Sequence, residues 1–388
     1  FAQPIDRKAL VERHKVVVEK FDSLTSLTVG NGEFAFTVDA TGLQTFPEFY
    51  EKGICLGTQS QWGWHSFSNL KNYRLEESYK EYDFHGRKIK YLSQLKEPAH
   101  AKESGDYFRV NPHRLHLGCI GLELINSDGS KVKMSDISNI HEVLNPWNGE
   151  IHSTFLIKGK PVEVATYCHQ NKDMVAAKVH SPLIKEGLLK INFRFPYPTG
   201  GHVDSGCDWN HPGKHGSRLT LIPAGAIISR SLDTTVYYAK IEWSGKATIR
   251  EKAKHYFVLS PSKNQDEITF SCLFSPGKPV AKNPGFIETA QNNHEVWKKY
   301  WTTGGAVDFS GSTDERAPEL ERRIILSQYL LRIQCAGSVP PQETGLTCNS
   351  WYGKFHLEMH WWHEAHFALW NHIEFLEKSM AWYKKILP

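Results

Sequence analysis

Ser26-Leu-Thr-Val-Gly-Asn-Gly-Glu-Phe-Ala-Phe-Thr-Val38 reads as two strands folded back on each other at Gly30-Asn31-Gly32. Gly and Asn tolerate the positive φ that tight hairpin turns require. The pattern continues on both sides. Lys15 to Phe21 is a short apolar run, and Pro161–Cys168 and Met174–Val179 alternate with a period of two. Leu188–Phe195, Leu219–Ile222, Val236–Trp243, Lys254–Leu259 and Ile268–Phe274 extend the series. Many strands separated by turn residues, with no helical pattern between them, predict an antiparallel sandwich. Residues 1–285 are long for one sandwich, so a large sandwich (a supersandwich) with long loops is expected.

The period changes near residue 287. Ile287, Ala290, His294, Trp297 and Trp301 recur at three-to-four spacing and predict a linker helix, stopped by Thr302-Thr-Gly-Gly305. Residues 286–312 are therefore assigned to this helix and a connector. Leu320, Ile324, Leu331 and Cys335 mark the stripe of a further helix that carries Pro318 early and ends at Gly337. Met359–Trp370 and the positions Phe375, Leu376, Met380, Tyr383 and Ile386 continue the helical pattern. Each helix has one apolar stripe to cover, and two or three helices cannot do so alone.

The composition narrows the function. The net charge is +4 with no long basic run, which argues against nucleic acid as the main partner. No apolar stretch approaches the ~20 residues that cross a bilayer. The opening Phe-Ala-Gln-Pro has the look of a remnant left by a removed signal peptide, so a secreted or periplasmic protein is expected. Seven Cys (55, 119, 168, 207, 272, 335 and 348) are scattered without a C-x-x-C pair. Mostly free, buried thiols are expected, and zinc-ribbon or redox motifs are unsupported.

Asn349 to Trp370 is the most unusual stretch. Its 22 residues hold four Trp, four His and two Glu, a density hard to explain as ordinary core because Trp and His want polar partners. Aromatic faces and carboxylates are the components of a carbohydrate site. A metalloprotease helix would need H-E-x-x-H. Here His363-Glu364-Ala365-His366 is one residue short, and His356 and His360 have Leu357 where the Glu belongs, so no metal and no cofactor is expected. There is no G-x-S-x-G elbow, G-x-G-x-x-G or Walker pattern. Glu358, among Trp351, Tyr352, Phe355, His356, Trp361 and Trp362, is the carboxylate most expensive to leave without a partner or ligand. Glu364 reads as an outward helix residue. The long loop Pro198–Ser217, with His202, Asp204, Trp209 and His211, is expected to be functional rather than a spacer.

Three stretches resemble the six-hairpin glycosidases, specifically the group around glycoside hydrolase family 65. Leu27–Phe36 resembles the opening "GNG" strand pair. His294-Glu-Val-Trp-Lys-Lys-Tyr-Trp301 resembles the linker helix. Gly345–Glu358 resembles the segment carrying "G-x-x-F-W-D-x-E" after the first barrel helix. Aligned on Gly353, Glu358 falls where the family has the Asp that hydrogen-bonds the sugar. Leu357 falls at the family's Trp and His360 at its second acid. The resemblance implies a β-sandwich, a linker helix and the first helices of an (α/α)6 barrel over residues 313–388. It places the general acid on a later barrel helix, beyond Pro388, so a truncated piece of a larger enzyme is expected.

The expected activity is glycoside hydrolysis by carboxylate general acid/base chemistry, with inversion implied by the resemblance alone. Glu358, His356, Trp361, Trp351, His360 and Trp209 are the substrate-binding candidates, and no catalytic residue is assigned. The expected partner is an oligo- or polysaccharide; a homodimer is compatible with the sequence. Two alternatives are a phosphate-using glycoside phosphorylase and a non-catalytic sugar-binding module.

Overall fold

The computed structural model describes residues 4–347 and 349–387; Cys348 and the first three and last residues lie outside them. Every strand pairing is antiparallel. A nine-stranded sheet runs in the order Val16–Val18, Ile137–Asn145, Glu150–Ile157, Lys160–Cys168, Met174–His180, Glu267–Ser275, Thr235–Trp243, Gly225–Leu232, His215–Ile222. A four-stranded sheet is built from Ala247–Ala253, Tyr256–Pro261, Leu189–Arg194 and Cys119–Leu124. The two sheets meet through side chains such as Phe193 and Phe270, whose ring centroids are 5.9 Å apart. Alternate residues of each strand feed this shared core, as period-two patterning requires.

The predicted hairpin is present. Leu27–Gly30 and Phe34–Val38 pair in register, with Thr58–Ser60 as a third strand. Its turn also ties the sheets to the helices. Asn31 Nδ2 donates to the carbonyls of His169 and Lys172, each at 3.0 Å, while its Oδ1 accepts from the N–H groups of Glu33 and Phe34. Gly32, at φ +94°, donates its N–H to the Ile333 carbonyl at 2.9 Å. A Cβ on Gly32 would stand 2.6 Å from the Ala336 carbonyl oxygen. Gly32→Ala is therefore expected to cost about 1–2 kcal/mol for the left-handed backbone alone, with the clash adding to it. A thermal melt of the variant measures the loss.

Four longer helices close the chain: α1 (Phe286–Thr302), α2 (Ala317–Gln334), α3 (Leu357–Leu369) and α4 (Ile373–Ile386). Trp297 and Trp301 of α1 are buried as the pattern predicts, but Ile287 is exposed. In α2 the predicted stripe is displaced. Leu320 faces solvent, and the buried side carries Glu321, Ile325, Gln328, Tyr329, Arg332 and Ile333. Polar residues occupy that face because distant partners satisfy them. Arg13 and His14 bind the Glu321 carboxylate at 2.7 and 2.6 Å, and Arg332 Nη1 donates to the Asn31 carbonyl at 2.8 Å.

Among the described residues no helix is long and apolar enough to cross a membrane. Cys119, Cys168, Cys272 and Cys335 are buried free thiols, and Cys207 is a half-buried one.

Candidate functional site

The aromatic cluster begins at a strained turn. Trp351, Tyr352 and Gly353 have successive φ values of +49°, +58° and +74°. Glycine adopts this region freely, but two bulky aromatics in a row there store strain that surrounding contacts must hold. Those contacts are present. Just before the turn, Asn349 and Ser350 pair as a short strand with Asp204 and Val203 of the long loop. Asn349 Nδ2 donates to the Gly201 carbonyl at 2.9 Å, and the Tyr352 N–H to the His202 carbonyl at 3.2 Å.

From the other side, Arg114 anchors Gly353. A Cβ on that glycine would lie 2.3 Å from Arg114 Cβ. The Arg114 guanidinium stacks 4.0 Å over Trp64 and donates to Ser60 O and Gln342 Oε1 at 2.6 and 3.0 Å. Arg114 is buried without a carboxylate partner in these contacts, and desolvation pulls its pKa down to about 9. Lys354 Nζ donates to the carbonyls of Arg109 and Phe108 at 2.7 and 3.1 Å. Burial first, then the nearby Arg109 charge, lowers its pKa to about 8.

Trp351 sits between two imidazoles, 4.4 Å from His202 and 4.9 Å from His356 by ring centroid. His356 Nδ1 lies 3.0 Å from Glu343 Oε2, close enough for an ion pair when the imidazole is protonated. Trp351 remains 39% exposed. It presents an aromatic surface in a wall built jointly by the loop and the helical segment.

Helix α3 then inverts the usual amphipathic arrangement. Its inward side holds His360, His363, Glu364 and Phe367. Its outward side holds Leu357, Glu358, Trp361, Trp362 and Leu369; the two Trp are 68% and 70% exposed. Helical spacing puts these outward residues on one flank. A flank with two Trp and two Leu in water is costly at about 25 cal/mol per Å² of apolar surface and marks an interaction surface.

Part of the inward polar side is met by α4. His360 hydrogen-bonds Tyr383 Oη at 2.9 Å and Ser379 Oγ at 2.8 Å. Ser379 also donates to Glu364 Oε2, which lies 3.2 Å from His360 Nε2. Glu364 is thus buried, contrary to its reading as an outward residue. It is affordable inside because Ser379 and His360 partner one oxygen; burial outweighs those partners and raises its pKa. His363 Nε2 reaches the Glu343 carbonyl at 3.1 Å.

Trp351 and His356 pack on each other, and Glu358 and Trp361 are exposed in the first turns of α3, which begins directly after His356. His360 faces inward, between α3 and α4. Trp209 goes elsewhere: it packs beneath Arg194 (4.4 Å) and lines a recess with His215, His255 and Tyr256. The long loop divides, with Val203–Asp204 reaching the helical segment and Trp209 lying against the four-stranded sheet. Sequence reasoning missed Arg114, Lys354 and Glu343. The only signal for them was basic and acidic residues in otherwise apolar surroundings. Among the described residues no group of three or more His, Cys, Asp or Glu is placed to hold a metal ion.

No family model matches the chain, and no curated protein matches its sequence. Among solved structures, a putative kojibiose phosphorylase from human microbiome superposes with a TM-score of 0.54 at 10% identity. The match covers 88% of this chain and 45% of that one. A bacterial glucoamylase complexed with acarbose gives a TM-score of 0.49 at 9% identity, over 96% of this chain and 53% of that one. The resemblance drawn from the hairpin, linker and aromatic segments holds at the level of fold: the chain shares the fold of the phosphorylase and spans less than half its length.

Proposed function

We propose that the chain is the sheet-rich part and first helices of a carbohydrate-active enzyme, an inverting glycoside hydrolase working by carboxylate general acid/base catalysis. One observation carries this reading. On the outward flank of α3 an exposed carboxylate, Glu358, stands one turn from an exposed Trp361, next to the strained Trp351 turn. A sugar ring offers an apolar face to an indole and hydroxyls to a carboxylate, so it covers both at once.

In this reading Glu358 holds the sugar and the proton-transferring acid comes from a later barrel helix. Trp362 and Leu369 are covered by further helices of the same barrel. A 45% span of the phosphorylase is in keeping with that. A glycoside phosphorylase, with phosphate in place of water, is the second reading, favoured by the shared fold of the putative kojibiose phosphorylase.

The test is the Glu358→Gln variant of the full-length enzyme. Losing a charge-assisted hydrogen bond of about 1.5–3 kcal/mol lowers kcat/KM roughly 10–100-fold. An unchanged kcat/KM removes Glu358 from the site. Turnover that requires phosphate selects the phosphorylase, and the anomer released, followed by NMR, decides the stereochemistry.

A further inference from the structure

A cavity of about 460 Å³ lies where the Thr235–Trp243 and Glu267–Ser275 strands meet the start of α1. That volume falls in the range of small-ligand sites, about 300–1,000 Å³. Its aromatic walls are Trp243, half-buried at the end of its strand, and Phe286, the first residue of α1. Phe286 is held edge-on by Tyr167 at 5.5 Å.

The polar lining is fixed before any ligand arrives. Asn283 donates its N–H to Glu242 Oε2 at 2.8 Å and its Nδ2 to the Lys240 carbonyl at 3.1 Å. These bonds fix the Asn283 side chain, only 3% exposed, behind the lining. Ser244 and Thr269 share a hydroxyl hydrogen bond of 2.5 Å at the rim.

The lining carries a small excess of negative charge: Glu242 is paired with Lys240 at 2.8 Å, whereas Glu288 only accepts the Gly285 N–H at 2.7 Å and keeps its charge. The exposed Glu267 and Lys282 have opposite signs. Carboxylates beside Trp243 and Phe286 suit a ligand that carries no negative charge, offers hydroxyl donors and has an apolar face.

We infer that this cavity is a second saccharide-binding site, for neutral oligosaccharides, on the sheet-rich part of the chain and separate from the α3 flank. The saccharide class rests on the carbohydrate reading of the chain, while the lining shares no residue with α3. Its role is to hold a polymeric glycan by a second grip, which multiplies apparent affinity without a new contact at the first site.

The experiment is calorimetric titration of this chain with neutral hexasaccharides of α-glucan, β-glucan, xylan and mannan type. It is run on wild type, Trp243→Ala, Thr269→Trp and Trp361→Ala. Thr269→Trp fills the cavity from a half-exposed position, and circular dichroism reports whether each variant is folded. Expected is binding of at least one hexasaccharide that weakens tenfold or more in both Trp243→Ala and Thr269→Trp but persists in Trp361→Ala. Absence of binding to all four overturns the proposal. Binding that survives in folded Thr269→Trp and disappears in Trp361→Ala overturns it too, while leaving the α3 reading standing.

Discussion

Trp297→Ala is expected to lower the stability of the chain by about 3–5 kcal/mol, as large-to-small changes at buried aromatics do. Trp297 is 1% exposed and lies where the sheets, α1 and α2 converge. Its ring stacks on Tyr329 of α2 at 4.9 Å and on Trp301 at 6.1 Å, and Tyr300 meets it edge-on at 5.6 Å. On the sheet side it closes against Gly149, where a Cβ would come within 2.3 Å of Trp297 Nε1. The Nε1 hydrogen has no partner, so the indole acts here through packing and through the Arg332 guanidinium, 5.9 Å from its ring. Trp297→Phe is therefore expected to recover a large part of the loss. Urea unfolding checks both: the midpoint should fall in the order wild type, Phe, Ala with the slope preserved. Equal midpoints for Ala and wild type would remove Trp297 from the junction.

The second large effect is a dependence on pH. Glu142 is fully buried and neither carboxylate oxygen has a hydrogen-bond partner. The neighbouring Gly42 N–H is bonded to the Asp39 carbonyl at 2.9 Å. Burial, and then the neighbouring Asp39, drive the Glu142 pKa well up. Asp39 is itself pushed up to about 6 by burial, although Thr41 and Phe46 donate hydrogen bonds to it.

A raised pKa means that the folded state holds a proton the unfolded chain gives up. Stability from these groups is complete below the ordinary carboxylate range and is lost as pH rises through the folded values. Buried histidines work in the opposite direction at acid pH. Desolvation keeps His113 down at about 4 and His215 at about 3. The unfolded chain therefore binds protons that the folded one refuses. Comparing wild type with Glu142→Gln cancels the histidine contribution. The two should be nearly equal at pH 4.5. By pH 8.5 the Gln variant should be more stable by about 3 kcal/mol, the order expected for an unpaired buried charge. Parallel stability curves for the two proteins across that range would show that Glu142 is not buried as a proton-holding group.

The hairpin at Gly30–Gly32 was legible because turn chemistry is local: Gly32, the one residue of the turn at positive φ, is a type that allows it. The two Trp of α1 were legible for a related reason, since bulk at helical spacing leaves one place to put it. The face of α2 was not. Glu321 reads as a surface residue until Arg13 and His14, some 300 positions earlier, are brought against it. Glu364 misleads in the same way, through Ser379 and His360. Helix α3 resists a periodicity argument because apolar and polar residues are balanced around it, and the side facing water is the one with the indoles. The paired strands Tyr79–Phe84 and Arg87–Leu92 also escaped the sequence reading. Their charged residues obscure alternation, and they form a two-stranded sheet of their own.

The short pairing of Val203–Asp204 with Asn349–Ser350 constrains how this protein can be recombined. A chimaera that took its sheets from one parent and its helices from another would join a strand to a partner it had never met, at the edge of the Trp351 turn. The natural crossover is therefore not the linker helix, where the chain visibly changes character. Exchanges that keep residues 201–204 and 349–353 from one parent preserve the wall of the site; exchanges that separate them break it even where every helix and sheet still folds.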